Sequence, residues 1–373
     1  MKKNNVHTND IKPDAIKTDV NRPDANKSDS VKPDAFKPGA VKPEENYTQF
    51  MEECVLPYIL PRREECYLSR ETGRQIYCAF YTAGECCPEQ CTEADERDKN
   101  VSGIILIAHG FSETADKYFE VIYYFLKAGY HVCIPEHCGH GRTYRLIKED
   151  PSLVHTDSWQ RYVDDLGFIA ESAKSHWRQK LPLFLFAHSM GGGIGAALAA
   201  QKPHLFDRVL LTSPMIRPLT GGVPWSVTRL IVSVMCALGR EKSYVIGQHA
   251  YDGKETFEES CATSYARWDW YQNKIASEPL YQTCAASYGW LREAIRLNRF
   301  LIREAWKQTE VPVLLVQAEH DTAVSNKQQE LFAEKLPASA GIVCIPGTKH
   351  EIFRSDDETV LRYMDRVLEF LSL

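Results

Sequence analysis

The stretch LFLFAHSMGGGIGAA, residues 183–197, joins an apolar run to a serine and a string of very small residues. The apolar run has the length of a buried strand, and the glycines and alanines after Ser189 are typical of a closely packed helix. A serine at such a junction belongs either to an ordinary strand-to-helix turn or to a strained turn that presents a nucleophile. The stretch therefore predicts a strand, a sharp turn and a helix.

Ala187 and Gly191 stand two residues before and two residues after Ser189, which gives the pattern A-x-S-x-G. This pattern is one residue away from the G-x-S-x-G nucleophile elbow, in which only small side chains fit at both positions. The helix that follows points its first N–H groups at any anion formed above the serine. We expect Ser189 to be a nucleophile, and a glycine-rich turn without catalysis stays open as the alternative.

Short apolar runs alternate with amphipathic segments along much of the chain. Strands are predicted at residues 103–110, 130–135, 181–188, 208–214, 311–319 and 341–346, with a hairpin over 64–71 and 74–83. Helices are predicted at residues 115–129, 158–177 and 356–371. Strands that alternate with helices indicate an α/β fold with an open, mostly parallel sheet and right-handed crossovers.

Two regions depart from this alternation and set the predicted domain boundaries. Residues 215–305 are helical in character and rich in aromatic side chains, so we expect a helical cap inserted between core parts 49–214 and 306–373. Residues 11–45 repeat a basic residue every fifth position with frequent proline, which predicts a disordered low-complexity tail over 1–48. This tail is either a spacer or docking arm, or a dispensable segment.

Composition excludes several classes of protein. The chain has 373 residues, 44% of them apolar, and a formal net charge of −6, so no basic stripe points to a nucleic-acid partner. The N-terminus lacks the apolar core of a secretory signal, and the longest apolar stretch is interrupted by Arg229 and too short to span a bilayer. We expect a cytoplasmic protein.

The cysteine count does not change this expectation. Among twelve cysteines, only Cys86, Cys87 and Cys91 have a spacing that resembles a metal site. These three lack a second paired motif and lie in an acidic insert, so reduced thiols are expected there rather than zinc.

A serine hydroxyl needs a base to take its proton and an acid to orient that base. The elbow motif predicts the chain order serine, acid, histidine, and Asp321 and His350 follow two predicted strands in that order. Ligands bind at such carboxyl ends of strands in open α/β sheets. His320 precedes the acid and is expected to be a loop residue, while Asp356 and Asp357 are expected to cap the last helix.

Acyl transfer also needs donors for the developing oxyanion. The N–H of Met190, directly after the nucleophile, is one expected donor. The N–H of Phe111, in the loop after the strand at 103–110, is the other. We interpret the side chain of His109 in this loop as structural.

Four motifs resemble those of the monoacylglycerol lipases and bacterial lysophospholipases of the α/β-hydrolase fold. They are AHGFSETADKY (108–118), CGHGRT (138–143), HSMGGG (188–193) and TKHEIF (348–353), and YVDDL (162–166), LTSPM (211–215) and SYGWLREA (287–294) are closer to the lysophospholipase branch. The resemblance covers residues 50–373. It implies an eight-stranded sheet, a helical cap and a serine esterase that acts on a singly acylated lipid without a metal or an organic cofactor.

The resemblance also assigns roles to individual residues. It implies Ser189 as nucleophile, Asp321 as acid and His350 as base, with Phe111 and Met190 as the oxyanion donors. Trp268 and Trp290 are expected to provide apolar surface for the acyl chain, although such aromatic residues also form the cores of small caps.

Three features depart from the family pattern. Ala187 replaces the usual elbow glycine, Glu136 and Cys138 stand where the family often has aspartate and arginine, and the insert 85–98 lengthens a loop. We expect Glu113 to orient the oxyanion loop. The residues His140 and Arg142 are expected to fold their loop rather than to bind ligand.

Substrate and location stay open at this stage. Residues 227–238 form a predicted helix whose apolar face lines an acyl tunnel, touches the inner face of a membrane, or belongs to an ordinary cap core. A carboxylesterase or aminopeptidase-like hydrolase of another small substrate is the alternative within the fold. A non-catalytic binding protein of the same fold is the alternative from another class.

Overall fold

The apolar run at residues 183–188 forms a strand, labelled β6 (Leu183–His188), whose six residues are all buried. The computed structural model describes residues 43–84, 101–177 and 180–372, and all of these belong to one compact unit, Phe36–Leu373. Burial on both faces explains the lack of polar alternation in β6, because helices cover the two sides of the sheet.

The described residues contain a main sheet of eight strands. In chain order the strands of the molecule are β1 (Arg63–Glu71), β2 (Arg74–Tyr81), β3 (Gly103–Ala108), β4 (Tyr130–Pro135), β5 (Leu153–Val154), β6, β7 (Arg208–Thr212), β8 (Ala285–Ala286), β9 (Val313–Ala318) and β10 (Gly341–Ile345). The main sheet runs β1-β2-β4-β3-β6-β7-β9-β10, with β1, β2 and β4 paired antiparallel and all other pairs parallel. The predicted mostly parallel eight-stranded sheet is confirmed.

Helices lie on both faces of this sheet. They are α1 (Tyr47–Phe50), α2 (Leu56–Ile59), α3 (Phe119–Lys127), α4 (Trp159–His176), α5 (Ser189–Gln201), α6 (Trp225–Ala237), α7 (Tyr265–Ser277), α8 (Tyr288–Arg303), α9 (Asn326–Ala333) and α10 (Asp357–Ser372). In β3, Ile104 and Leu106 face the core that contains α4, α5 and α8, while Ile105 and Ile107 face the core that contains α3 and α10. This alternation is the period of two that a strand imposes.

The inserted segment 215–305 supplies α6, α7 and α8. Helix α8 packs against α4 and α5, and α6 packs on α8, while α7 contacts α1 on the other side. A parallel pair of two-residue strands, β5 and β8, joins the loop after β4 to the residues just before α8. This pair is too short for a pattern of alternation to predict.

The described chain begins with a helical segment that the sequence analysis did not predict. Helices α1 and α2 and the turns around them extend from Pro43 to Arg62. Within this segment Tyr47 and Met51 are buried, and Tyr47 contacts Glu120 of α3 and Trp270 of α7. Residues 43–48, assigned to the disordered tail in the sequence analysis, are therefore helical. The rest of the predicted tail, and the cysteines at 86, 87 and 91, lie outside the described residues.

Each helix in the described ranges is too short or too polar to cross a membrane. Helix α6 differs from the other apolar helices in its exposure, since only Thr228 and Val232 are buried in it and Val227, Leu230 and Val234 are exposed. Helix α6 belongs to the inserted segment 215–305, and its exposed apolar face is available for contact with another surface.

Candidate active site

The turn between β6 and α5 places Ser189 in the left-handed region of backbone space, with φ of +53°. A non-glycine residue in this region stores strain of roughly 1–3 kcal/mol and is characteristic of functional sites. At Gly191, an added Cβ would lie 2.2 Å from the carbonyl oxygen of Ala108. The helix can begin here only because residue 191 has no side chain.

Ala187 is accommodated by a second glycine on α5. A Cβ added to Gly195 would meet the Cβ of Ala187 at 3.0 Å and Leu185 Cδ2 at 2.7 Å. The missing side chain at 195 therefore leaves room for the methyl group that stands in place of the usual elbow glycine.

The three side chains predicted to form the catalytic centre are hydrogen-bonded in series. His350 Nδ1 lies 2.7 Å from Asp321 Oδ2, and His350 Nε2 lies 2.7 Å from Ser189 Oγ. A carboxylate can only accept, so Nδ1–H donates to Asp321 and the serine hydroxyl donates to Nε2. The structure brings these residues together from sequence separations of 29 and 161.

The carboxylate of Asp321 is itself held in place by its own loop. Its Oδ1 accepts from the N–H groups of Ala323 and Val324, both at 2.9 Å, which leaves Oδ2 for the imidazole of His350. A carboxylate fixed in this way orients the imidazole and selects its tautomer.

The competing residues of the sequence analysis lie elsewhere. The side chain of His320 is 66% exposed and faces Glu319. Asp356 accepts from the N–H of Thr359 at 3.0 Å, at the start of α10, and Asp357 accepts from Arg267 at 2.8 Å. None of these three side chains bonds to Ser189 in the described residues.

The loop after β3 carries Phe111, one of the two predicted oxyanion donors. Gly110, directly before it, donates its N–H to Glu113 Oε2 at 2.6 Å, and the next residue, Ser112, has φ of +55°. Met190, the other predicted donor, is in the first turn of α5, where N–H groups have no partner inside the helix. We name residues 109–113 the oxyanion turn.

Glu113 is buried beside this turn and makes several bonds at once. Its Oε2 also accepts from the hydroxyl of Tyr118 at 2.6 Å, and its Oε1 accepts from Lys117 Nζ at 2.9 Å. Burial acts to raise the pKa of Glu113, but the Lys117 ammonium, His188 and the Tyr118 hydroxyl together outweigh it and hold this pKa well below its ordinary value. An ionised Glu113 has no proton to donate near neutral pH, which agrees with an orienting role.

His109 is bonded on both ring nitrogens to backbone groups. Its Nδ1 lies 2.7 Å from the carbonyl oxygen of Gly110, and its Nε2 accepts from the N–H of His137 at 2.8 Å. Its carbonyl oxygen accepts from the N–H of Gly191 at 3.1 Å. His109 therefore ties the oxyanion turn to the neighbouring loop and to the start of α5.

The loop after β4 contains the departures at positions 136 and 138. Arg142 binds Glu136, with Nη2 2.5 Å from Oε1, and also reaches Asp116 at 3.1 Å. The buried His140 lies 3.1 Å from the carbonyl oxygen of Cys138, and burial, together with His109, holds the pKa of His140 well below its ordinary value. These bonds are internal to the loop and its neighbours.

A cavity of about 640 Å³ opens onto Ser189 and His350. Its walls include the cap residues 247–255 and helix α7, and Trp268 is one of its lining residues. The volume is within the range of about 300–1,000 Å³ that is usual for small-molecule sites. Lys117, Glu351 and Arg354 also line the cavity, and the sequence analysis assigned no role to these three.

Trp290, the second tryptophan predicted to bind substrate, lies in a different place. Its ring is packed against Phe111, with centroids 4.5 Å apart, and lines a small apolar gap beside Met190. The two tryptophans therefore belong to separate pockets, and Trp290 packs against Phe111 of the oxyanion turn. In the described residues no cluster of His, Cys, Asp and Glu is arranged to hold a metal ion.

Comparison with protein families gives one match over most of the chain. Residues 99–358 match the model of the Hydrolase_4 family, described as serine aminopeptidase, S33.

Curated relatives and solved structures agree with this match. Lysophospholipase L2 of Escherichia coli K12 is 28% identical over 278 residues, which cover 72% of this chain and 80% of that protein. Monoacylglycerol lipase of Mycolicibacterium smegmatis is 23% identical over 266 residues, covering 71% and 86%.

Among solved structures, a soluble variant of monoglyceride lipase from Saccharomyces cerevisiae, in complex with a substrate analogue, superposes with a TM-score of 0.65 at 20% identity. This superposition covers 83% of this chain and 94% of that one. Monoacylglycerol lipase of Paleococcus ferrophilus gives a TM-score of 0.59 at 19% identity, covering 80% and 98%. These likenesses show an α/β-hydrolase fold, as the sequence analysis predicted.

Proposed function

The chain belongs to the serine aminopeptidase S33 family of α/β-hydrolases and is a carboxylic ester hydrolase, and we propose that it cleaves singly acylated lipids through an acyl-enzyme. The substrate is a lysophospholipid or a monoacylglycerol. The observation that carries the proposal is the hydrogen-bonded series of Ser189, His350 and Asp321 at the floor of the cavity.

In the first half of the reaction, the Nε2 of His350 takes the proton of Ser189 as Oγ attacks the ester carbonyl carbon. Asp321 keeps the imidazole oriented and stabilises the imidazolium that forms. The carbonyl oxygen becomes an oxyanion, and the N–H groups of Phe111 and Met190 stabilise it. The imidazolium then protonates the glycerol-side oxygen as its bond to the acyl carbon breaks, which leaves the acyl group on Ser189.

In the second half, water replaces the alcohol. His350 takes a proton from this water as the water oxygen attacks the acyl carbon, and the second oxyanion uses the same two N–H groups. When the bond to Oγ breaks, the imidazolium returns the proton to Ser189 and the fatty acid leaves. The imidazole of His350 takes and returns every proton in these steps, so the proposed cycle needs no metal or organic cofactor.

Two observations support a lipid ester as substrate. Relatives named for lysophospholipase and monoacylglycerol lipase activity align over about 70% of this chain. The cavity also provides aromatic surface from Trp268 and Tyr271 near Ser189, which suits an acyl chain, together with polar groups that suit a glycerol-based head.

A fluorophosphonate probe tests the proposal, because it forms a covalent bond only with an activated serine. We expect the purified wild-type chain to be labelled and to release fatty acid from lysophosphatidylethanolamine or monooleoylglycerol. Ser189→Ala should lose labelling and at least about 1,000-fold in turnover. Normal turnover in Ser189→Ala, or a wild-type chain that the probe leaves unlabelled, would contradict the mechanism.

A carboxylesterase or aminopeptidase-like activity on a small substrate is the second candidate. The polar lining of the cavity around residues 247–255 supports it, since these groups also suit a small polar substrate that has no acyl tail. A series of p-nitrophenyl esters from two to sixteen carbons separates the two candidates. Lipid ester hydrolysis requires kcat/KM to rise with chain length, whereas a maximum at the shortest esters favours the second candidate.

For location, we propose the cytoplasm, with peripheral contact at the inner face of the membrane through α6. The cysteines among the described residues are all free, which suits a reducing compartment. The outer face of α6 exposes Val227, Leu230 and Val234, and Leu238 directly after the helix continues this face, with exposed fractions from 43% to 69%. An apolar helical face of this kind can rest on a lipid surface from which the substrate is drawn.

A further inference from the structure

His350 lies on an irregular turn, residues 346–351, between β10 and the short helical turn Ile352–Arg354. No strand or helix bond of its own fixes the imidazole there. A displacement of about 1 Å in such a group can cost about 100-fold in rate. Asp321 orients the imidazole, and bonds between the turn and its neighbours help to keep Nε2 close to Ser189 Oγ.

The residue before His350 binds the cap. Lys349 Nζ donates to the carbonyl oxygens of Glu258 and Ser260, at 3.1 and 3.0 Å. We name cap residues 258–264 the cap strap. The Lys349 ammonium thus joins the turn that carries His350 to two positions of the strap that lie two residues apart.

The residue after His350 binds the same strap through its backbone and two other groups through its side chain. The N–H of Glu351 donates to the carbonyl oxygen of Cys261 at 3.0 Å. Its Oε1 accepts from Lys117 at 2.5 Å, and its Oε2 accepts from Arg354 at 2.7 Å. The three charged side chains are at most 10% exposed, so water screens these pairs little.

Lys117 extends this connection to the oxyanion turn. The same ammonium donates to Glu113 Oε1 at 2.9 Å, and Glu113 in turn holds the N–H of Gly110, next to Phe111. Carboxylate, ammonium and carboxylate therefore form one continuous path from the oxyanion turn to the residue beside His350.

Arg354 closes a third connection to the cap. Its Nη2 donates to the carbonyl oxygen of Arg267 in α7 at 2.9 Å. Its own carbonyl oxygen accepts from the N–H groups of Thr263 and Ser264, at 3.2 and 3.0 Å. Lys349, Glu351 and Arg354 are therefore each bonded to the cap.

We infer that Lys349 and Glu351 are positioning residues: they clamp the turn that carries His350 to the cap strap and to the oxyanion turn. The cap then contributes to the mutual geometry of the base and the oxyanion donors, in addition to the bond between His350 and Asp321. The inference rests on the proposed function, since this geometry matters only if His350 takes the proton of Ser189.

Replacement of Lys349 by methionine tests the first half of the clamp without leaving a buried charge unpaired. We expect Lys349→Met to lower kcat for p-nitrophenyl acetate about 10-fold, with KM within about twofold, and to slow fluorophosphonate labelling equally. Lys349→Arg keeps a donor and should recover most of the rate. Lys335→Met is the matched control, because Lys335 also donates to a backbone carbonyl, of Ile302 at 3.1 Å, but this carbonyl is outside the cap strap and Lys335 does not line the cavity.

Replacement of Glu351 by glutamine tests the second half. We expect Glu351→Gln to lower kcat and the labelling rate about 100-fold, and Glu351→Asp, which keeps the charge, to fall between this variant and the wild type. Asp165→Asn is the control for stability, since Asp165 is a buried carboxylate bonded to Arg70 and Tyr144 at 2.7 and 2.6 Å. Its melting temperature should fall by a similar amount while its kcat stays within about twofold of the wild type.

The outcomes separate this inference from the proposed function. If the wild-type chain is not labelled, the proposed function fails before any variant is compared. If it is labelled, but Lys349→Met and Glu351→Gln react as fast as the wild type, only the positioning role is overturned. Equal losses of kcat in the variants and in their two controls would also overturn it, because general destabilisation would then explain the effect. Should Glu351→Gln fail to fold, Lys349→Met decides alone.

Discussion

At the scale of the residue, the site depends on positions where a side chain is missing. Gly191 is the clearest case, because the atoms that a Cβ there would meet belong to the backbone of Ala108 and His109 and not to a side chain that can move. A Cβ there would lie 2.2 Å from the carbonyl oxygen of Ala108 and 2.5 Å from that of His109. Backbone at this distance has to shift, and the shift reaches the turn that carries Phe111.

We therefore expect Gly191→Ala to destabilise the fold by about 3 kcal/mol and to lower kcat for a soluble ester about 100-fold or more. Urea unfolding and ester turnover measure the two effects. Gly341→Ala is the control, since a Cβ at that exposed position meets only Leu314 at an ordinary contact distance of 3.6 Å. Equal behaviour of the two variants would show that crowding at the elbow is not the reason for glycine.

The same residues show how far the sequence predicts the site. The crowding around Ser189 is local, so the spacing of Ala187 and Gly191 predicts the turn. Asp321 and His350 are candidates from the sequence because each follows a predicted strand. Lys117 and Glu351 were missed because each is an ordinary charged residue in the sequence. Their role depends on an ion pair of 2.5 Å between Lys117 and Glu351, which are 234 positions apart in the sequence. No local sequence pattern indicates such a contact.

At the scale of the element, the strands of the main sheet were predicted, and the first helical segment and the short pair β5 and β8 were not. Short apolar runs specify buried strands whatever their partners are, because both faces of the sheet are covered. The first segment does carry a helical signal, since Tyr47, Met51, Val55 and Ile59 are buried four residues apart. Prolines at 57 and 61 obscure this period, although both lie in the first turn of a helical piece, where proline is tolerated.

Helix α6 is expected to contact a lipid surface through its exposed apolar face. Leu230 and Leu238, the latter directly after the helix, are 65% and 69% exposed on this face. Transfer of a leucine side chain out of water is favourable by about 1.5–3 kcal/mol. We therefore expect the chain to sediment with vesicles of phosphatidylglycerol and phosphatidylethanolamine, and Leu230→Ser with Leu238→Ser to weaken this binding at least about tenfold.

The two serine substitutions should leave turnover of dissolved p-nitrophenyl acetate unchanged, because neither leucine lines the cavity at Ser189. Leu331→Ser, on α9, is the matched control, since Leu331 is an exposed leucine at 38% on a helix outside the insertion. Vesicle binding that is absent in the wild type, or reduced equally by the control, would contradict contact through α6.

At the scale of the whole molecule, stability should depend on pH through buried histidines. Burial lowers the pKa of several histidines, among them His109, His131, His137, His140 and His188. For His131 and His188 burial lowers the pKa to about 4 from an ordinary value of 6.5. The folded chain thus excludes protons that the unfolded chain binds, so this contribution is complete above about pH 6.5 and is lost as the pH falls toward 4.

Carboxylates extend the same trend at lower pH. Burial opposes ionisation of Glu351, but the neighbouring Lys117 and Arg354 outweigh it and lower its pKa to about 2. Its contribution is present above the ordinary glutamate range near 4.5 and is lost as the pH falls from there toward 2. The free energy of unfolding should therefore decrease in two overlapping stages, first as histidines and then as carboxylates bind protons.

A substitution at His131 measures the contribution of one buried histidine to the first stage. It is fully buried, stacks on Trp177 at 4.5 Å and accepts from the N–H of Ala83 at 3.0 Å, in a part of the molecule remote from the cavity residues. A group with this shift contributes roughly 1.4 kcal/mol per pH unit between its two pKa values.

We expect the free energy of unfolding, measured in urea at pH 7 and pH 5, to fall by about 2 kcal/mol less in His131→Asn than in the wild type. His320→Asn, at a side chain that is 66% exposed, should keep the wild-type difference. If His131→Asn keeps it as well, the imidazole of His131 is not excluded from protonation in the folded chain, and the acid sensitivity has to be assigned to the remaining buried histidines.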